Sequence, residues 1–314
     1  MNVLITGATG NIGSELISYL SGVPEIVRIV GIYRNSEKAE CLHTKNRSNP
    51  GWNKVYLYRH DLTEPLGYNT TEFDCIIHSA ALRPASVCEA NYTAAIAVNI
   101  LATKNMVEYA QKVRAKQFIF FSVQSVYSRH NPLPVSEEGI TEGTEMYSIT
   151  KLAAEMIVSA GLKDKMNFQI LRLAHLYGYE GHQFDGVIRA FFDAARYGSL
   201  TIQGSGKQSC CFLHIKDLCR LMALMLQKNM ASGIFNVCSE VISVSEIAGY
   251  FCNFYKKFFN QKLEIYKQDC STKGYGIDNK KIIQESGWHP VFLVEKELFK
   301  LFGAMNGSSG ASTH

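Results

Sequence analysis

Short apolar runs rich in Val, Ile, Phe and Tyr alternate with longer stretches whose apolar residues recur every three or four positions, and this rhythm fills the first half of the chain. Short β-rich runs mark strands and a period near 3.6 marks helices, so the pattern predicts successive βαβ units and a parallel sheet. Strands are predicted at 3–6, 27–33, 55–58, 75–78, 117–122 and 168–173, and helices at 11–20, 92–113 and 147–160. After Tyr177-Gly178 the rhythm loosens. The expected α/β fold is a Rossmann-type, doubly wound parallel sheet over 1–178, with a smaller C-terminal substrate lobe over 179–302 interleaved with returns to the core. Residues 303–314 are rich in Gly and Ser and poor in core-forming side chains, and are expected to form a flexible tail.

Composition narrows the function classes. The 314 residues are 46% apolar and 19% charged, which fits a globular chain. A net charge of +4 is spread along the chain, so no nucleic-acid stripe is expected. No apolar run reaches the roughly 20 residues a membrane helix needs. The nine cysteines form no C-x-x-C pair and no His pair has zinc-ligand spacing, so no metal site is expected. Free thiols and the lack of a leader-like N-terminus point to the cytoplasm.

The first predicted strand runs into Thr6-Gly7-Ala8-Thr9-Gly10-Asn11-Ile12-Gly13, which opens the first predicted helix. Glycines there allow a tight turn and let a pyrophosphate approach the backbone N–H groups, while the helix N-terminus attracts its negative charge. Gly7, Thr9, Gly10, Asn11, Ile12 and Gly13 are thus candidate dinucleotide ligands. The spacing is G-x-x-G-x-x-G. Further on, Tyr147-Ser148-Ile149-Thr150-Lys151 puts a phenol and an ammonium four residues apart, on one helix face. A nearby ammonium stabilises phenolate, which suits Tyr147 to general acid/base work.

These motifs occur in a telling order. After the glycine loop come His60-Asp61-Leu62, Ile77-His78-Ser79-Ala80-Ala81, Asn99, Ser125-Val126-Tyr127 and the Tyr/Lys pair; then follow Leu171-Arg172-Leu173, Tyr177-Gly178, Gly204-Ser205-Gly206, His214-Ile215-Lys216-Asp217 and Gly287-Trp288-His289-Pro290. In that order the chain, over about residues 1–300, resembles the extended short-chain dehydrogenase/reductase family, in its branch of nucleotide-sugar epimerases, dehydratases and reductases. The resemblance implies that Asp61 and Leu62 meet the adenine and that Ser79, Ala80, Ala81, Asn99, Ala174 and His175 line the cofactor. It also implies that Lys151 holds the nicotinamide ribose, and that a homodimer forms through the long helices.

The sequence departs from that pattern in several places. Arg34, followed by Asn35, ends the second strand where NAD-preferring members carry an acid; an arginine there pairs with a 2′-phosphate, which favours NADP over NAD. Val123 stands where catalytic members carry Ser or Thr, leaving Ser125 or Ser122 to supply the hydroxyl, with Ser125 on the face that strand alternation shares with Val123. Gln124 and Ser125 stand where 4,6-dehydratases carry Asp-Glu, which argues against that elimination. Cys210-Cys211 stands where nucleotide-sugar enzymes carry the Arg-Asp that grips the diphosphate; Arg83, Arg189, Arg196 and Lys207 are the cations considered as substitutes. His175 falls at a common Asn position, and His214 reads as structural. The leading expectation is an NADP-linked reductase or epimerase acting on a sugar or similar small molecule. A reductase of a non-nucleotide ketone or aldehyde, and a weakly catalytic cofactor-binding scaffold, stand beside it.

Overall fold

The computed structural model describes residues 1–67, 72–178, 186–228, 230–270 and 273–309, with side chains up to 306. Seven strands form one sheet in which each hydrogen-bonded pair is parallel. They are β1 (Asn2–Thr6), β2 (Arg28–Tyr33), β3 (Val55–Arg59), β4 (Cys75–His78), β5 (Gln117–Val123), β6 (Asn167–Leu173) and, after three strands that lie elsewhere, β10 (Gly233–Val237). The spatial order is β10-β6-β5-β4-β1-β2-β3, so the chain reverses direction across the sheet between β1 and β4. A ligand crevice is expected outside the carboxyl ends of the strands at such a reversal.

Burial explains the strand sequences. β4 and β5 have helices on both faces and are apolar almost throughout, with Ile76, Ile77, Phe118, Ile119 and Phe120 out of solvent. The edge strand β3 keeps Tyr56 and Tyr58 exposed. The helices of this half are α1 (Asn11–Ser21), α2 (Ser36–Lys45), α3 (Ala85–Ala90), α4 (Tyr92–Ala95), α5 (Ala102–Lys112) and α6 (Met146–Leu162). The helix predicted over 92–113 is one run, but Ile96–Leu101 between α4 and α5 winds as π-helix. Such a bulge turns a side chain out of the α register, and here the buried side chain is Asn99.

The second half forms its own core. β7 (His175–Tyr177), β9 (Ser209–His214) and β11 (Glu240–Ser243) make one small sheet, and β8 (Ser199–Gln203) pairs with β12 (Glu264–Gln268). Around them pack α7 (Gly186–Ala195), α9 (Val244–Phe259) and α11 (Val294–Ser309), joined by an aromatic cluster of Phe191, Phe251, Phe254 and Phe302. α8 (Ile215–Gln227) and α10 (Lys280–Ser286) pack instead on the first half. Within the segment expected as a tail, α11 continues from fully buried Phe302 through Gly303 to Ser309, and 310–314 lie outside the described residues.

Candidate active site

The glycine loop turns sharply from β1 into α1. Gly7 has φ +68°, and a Cβ on it would stand 2.9 Å from Ala80 Cα; a Cβ on Gly13 would be driven into the Gly7 carbonyl oxygen at 2.2 Å. Only glycine fits these two positions. Gly10 differs, since a Cβ there would meet only the Gly7 oxygen, at 3.2 Å, and would otherwise point into open space. Gly10 is also the N-cap of α1, where no side chain caps the first turn. The N–H groups of Asn11, Ile12 and Gly13 therefore form an uncapped, positively polarised helix end beside an open backbone surface, a setting that fits a pyrophosphate.

Ser79 and Ala80 bound this turn from β4, the Ser79 hydroxyl donating to the Thr6 carbonyl at 2.6 Å and the Ala80 N–H to the Thr6 hydroxyl at 3.2 Å. Thr6 begins a buried polar chain. Its hydroxyl donates to His78 Nδ1 at 2.7 Å, and His78 Nε2–H donates to the Thr103 hydroxyl at 3.0 Å, which in turn donates to the Asn99 carbonyl at 2.7 Å. The Asn99 amide donates to the Thr150 hydroxyl at 3.0 Å, and Thr150 donates to the Tyr147 carbonyl at 2.9 Å. These directions require one neutral tautomer of His78, and burial, aided by the Lys151 charge, pushes its pKa down to about 3. Asn99, named from the sequence, reaches this chain because the π-turn aims it inward; it also accepts the Leu82 N–H at 2.7 Å.

Helix α6 carries both Tyr147 and Lys151. Its N-terminus is fixed by Glu89, which accepts the Met146 N–H at 2.6 Å, and by the Ser148 hydroxyl, which accepts the Glu145 N–H. Tyr147 is half-buried, and burial raises its pKa against the opposing pull of Arg83. Lys151 is 2% exposed, its ammonium 4.0 Å from the centre of the Phe120 ring. Burial pushes its pKa down to about 7, with Glu155 pulling the other way. Glu155 lies one further turn along, at the same i+4 spacing, and was missed in the sequence. It is buried against Arg172, whose Nη2 donates to it at 2.7 Å. A Glu following Y-x-x-x-K at i+4 was the available signal, since a buried carboxylate must find a cation.

The two candidate serines separate cleanly. Ser122 is buried and donates to the Glu155 carboxylate, which also accepts from Arg172. Ser125 stands in a 3-10 turn (Gln124–Val126), half-buried like Val123, and its side chain makes no hydrogen bond among the described residues. Beyond β3, Asp61 accepts from the Thr63 N–H and hydroxyl at 3.0 and 2.8 Å, which with Arg34 holds its carboxyl below the usual range. Arg34 is exposed and 4.0 Å from Asp61; Leu62 is buried beneath, and Asn35 caps α2 through the Lys38 N–H at 2.9 Å. Ala81 is half-buried beside Ala80, Ala174 is buried at the end of β6, and His175 is exposed at the start of β7. His214 caps α8 by accepting the Lys216 N–H and stacks on Phe292 at 4.3 Å. Among the described residues no group of three His, Cys, Asp or Glu side chains could hold a metal ion, and no helix is long and apolar enough to cross a membrane.

Residues 3–238, which carry the glycine turn, the Tyr/Lys helix and the Glu155–Arg172 pair, match the model of the NAD dependent epimerase/dehydratase family. The chain belongs to that family. Among curated members, UDP-glucuronic acid decarboxylase 1 of Arabidopsis thaliana is 30% identical over 253 residues, covering 76% of this chain and 54% of its own length. The dTDP-D-glucose 4,6-dehydratase of Homo sapiens is 26% identical over 306 residues, covering 92% of this chain and 85% of its own. The chain thus spans a little over half the length of the decarboxylases it matches first. The fold is that of a Bacillus cereus UDP-glucuronic acid 4-epimerase solved with UDP-glucuronic acid and NAD, at TM-score 0.77 and 21% identity over 97% of this chain and 100% of the other.

Proposed function

We propose that this epimerase/dehydratase family member catalyses nicotinamide-dependent hydride transfer at a carbinol or carbonyl carbon of a nucleotide-linked sugar. The observation that carries this reading is a phenol and a buried ammonium, four residues apart on α6, set at the carboxyl ends of β4 and β5 and tied by a polar chain to the strand that precedes the pyrophosphate turn. A bound nicotinamide would supply the hydride acceptor or donor. Gly7, Gly10, Asn11, Ile12 and Gly13 would hold the pyrophosphate, Ser79, Ala80 and Ala81 would flank it, and Asp61 and Leu62 would meet the adenine. Lys151 would bind the nicotinamide ribose, and its charge would favour the ionised form of Tyr147. Tyr147 would take the proton from a substrate hydroxyl as the carbon is oxidised and return it on reduction. Ser125 would hold the same oxygen in place of the hydroxyl missing at Val123.

Arg34 supports NADP, whereas the solved epimerase named above holds NAD; Arg34 is the residue that would set the choice. The exposed apolar side chains of Tyr92, Ile96, Ile149 and Met156, on the helices expected to pair, support a homodimer. Nine unpaired cysteines support a reducing, cytoplasmic setting. The test is turnover of UDP-glucuronic acid, UDP-glucose and dTDP-glucose with NAD and NADP, for the native chain and for Tyr147→Phe. The variant should bind cofactor normally and lose about 10²–10⁴-fold in turnover. Full activity in Tyr147→Phe would remove Tyr147 from the mechanism.

A further inference from the structure

Phe118, Phe120 and Ser122 alternate onto the face of β5 that packs against α6. Two of them meet the side of the helix on which Tyr147, Lys151 and Glu155 follow one another: Phe120 lies beneath Lys151, and Ser122 donates to Glu155. The Lys151 ammonium stands 4.0 Å from the centre of the Phe120 ring. Lys151 is buried, yet among the described residues its ammonium makes no hydrogen bond or ion pair. A buried charge ordinarily has a charged or hydrogen-bonding partner, so the ring is in an unusual position.

The groups that surround Lys151 are either engaged or uncharged. On α6 itself, Glu155 accepts from Arg172 of β6 at Nε, 3.1 Å, and Nη2, 2.7 Å, as well as from Ser122, so its charge is already matched. Tyr147, one turn earlier, is a phenol whose ionisation burial opposes, and Arg83 and Cys88, from the α3 side, act on that phenol. On β4, His78 lies beside Phe120 with ring centres 5.7 Å apart and is neutral, its nitrogens engaged by Thr6 and Thr103. The π-turn, α5 and the 3-10 turn bring Asn99, Thr103 and Gln124, which carry no charge. We propose that the face of Phe120 stands in for a counter-ion, holding the Lys151 ammonium charged and in one place, so that Phe120 is a positioning residue of the cofactor site. The negative face of an aromatic ring attracts a cation most strongly where water is excluded. A ring also differs from a carboxylate in accepting none of the three N–H groups by a directed hydrogen bond, which leaves them for the hydroxyls of a bound ribose. The cofactor role rests on the hydride-transfer reading above.

The test is the pH dependence of two quantities, the stability of the cofactor-free protein and its NAD affinity by calorimetry. They are measured for the native chain, Phe120→Leu, Phe118→Leu and a chain carrying a ring-fluorinated phenylalanine at position 120, which keeps the shape of the ring and drains its negative face. Native stability should fall as pH drops towards about 7, where Lys151 takes up its proton in the fold, and level off below. In Phe120→Leu the levelling point should move down by about one pH unit, and in the fluorinated protein in the same direction. The pH above which NAD affinity is lost should move down with it. Phe118→Leu removes a ring from the same core but not the one beneath Lys151, so it should lower stability and move neither midpoint. An unmoved levelling point in the fluorinated protein would overturn the proposal and leave Phe120 as packing, and this result is read even if Phe120→Leu does not fold. A native protein that fails to bind NAD would overturn the cofactor role together with the reading it rests on, while the stability profile judges the contact between ring and ammonium separately.

Discussion

Arg172 and Glu155 meet at 2.7 Å with each side chain 4% exposed, directly behind the turn of α6 that carries Lys151. Removing one partner would strand a buried charge, at a cost of about 3–5 kcal/mol. Arg172→Leu should therefore lower the free energy of unfolding by that order in urea titrations, more than Lys104→Ala at the exposed Lys104–Glu108 pair. Equal losses would show that the buried pair has no special weight.

The glycine turn separates two roles that a motif match treats as one. Gly10→Val should leave a folded protein, because its added side chain enters open space, but should abolish dinucleotide binding. Gly13→Val should unfold or strongly destabilise the chain, because its Cβ would meet backbone at 2.2 Å. Circular dichroism with NAD titration reads both. Normal NAD affinity in a folded Gly10→Val protein would remove the turn as the pyrophosphate seat.

Arg34→Asp bears on cofactor choice. A carboxylate at this exposed position would repel a 2′-phosphate and accept from a 2′-hydroxyl, so the ratio of NADP to NAD affinity should fall by at least tenfold. Dissociation constants of both cofactors, measured for native and variant protein, decide it. An unchanged ratio would mean that Arg34 does not touch the ribose.

The burial of Lys151 makes a pH signature. Its pKa is about 7 in the fold and 10.5 when freely solvated, so at intermediate pH the unfolded chain binds the extra proton. Stability of the cofactor-free protein should accordingly fall as pH drops from about 10.5 to about 7, at up to about 1.4 kcal/mol per pH unit from this group. Below pH 7 the penalty is constant. Lys151→Met should flatten that part of the profile and bind cofactor more weakly; a profile identical to the native one would show that Lys151 is not held in its neutral form by the fold.

Much of this arrangement was legible in the sequence because it is local. Apolar runs located the first six strands, and i, i+4 spacing placed Tyr147 and Lys151 on one face. Strand alternation grouped Ser125 with Val123, but β5 ends at Val123 and Ser125 stands in a 3-10 turn where that alternation no longer holds, while Ser122, still within β5, meets Glu155. What escaped depends on distant pairings: that Phe235 and its neighbours in β10 return to the main sheet beside β6, or that Arg129 finds Tyr275 146 positions later. The reach of α11 past Phe302 into the Gly- and Ser-rich segment was not legible either, for a related reason. Gly and Ser have modest helix propensity, but Leu298 and Phe302 are seated in the lobe core, and a helix once anchored extends through weak formers.

The polar chain from Thr6 to Thr150 has a further consequence. Because its links between elements, Thr6 to His78, His78 to Thr103 and Asn99 to Thr150, are buried hydrogen bonds, the glycine turn and the turn of α6 that carries Tyr147 are tied to each other within the protein itself. On the function proposed above, cofactor affinity would then not be spent on bringing the two halves of the site into alignment.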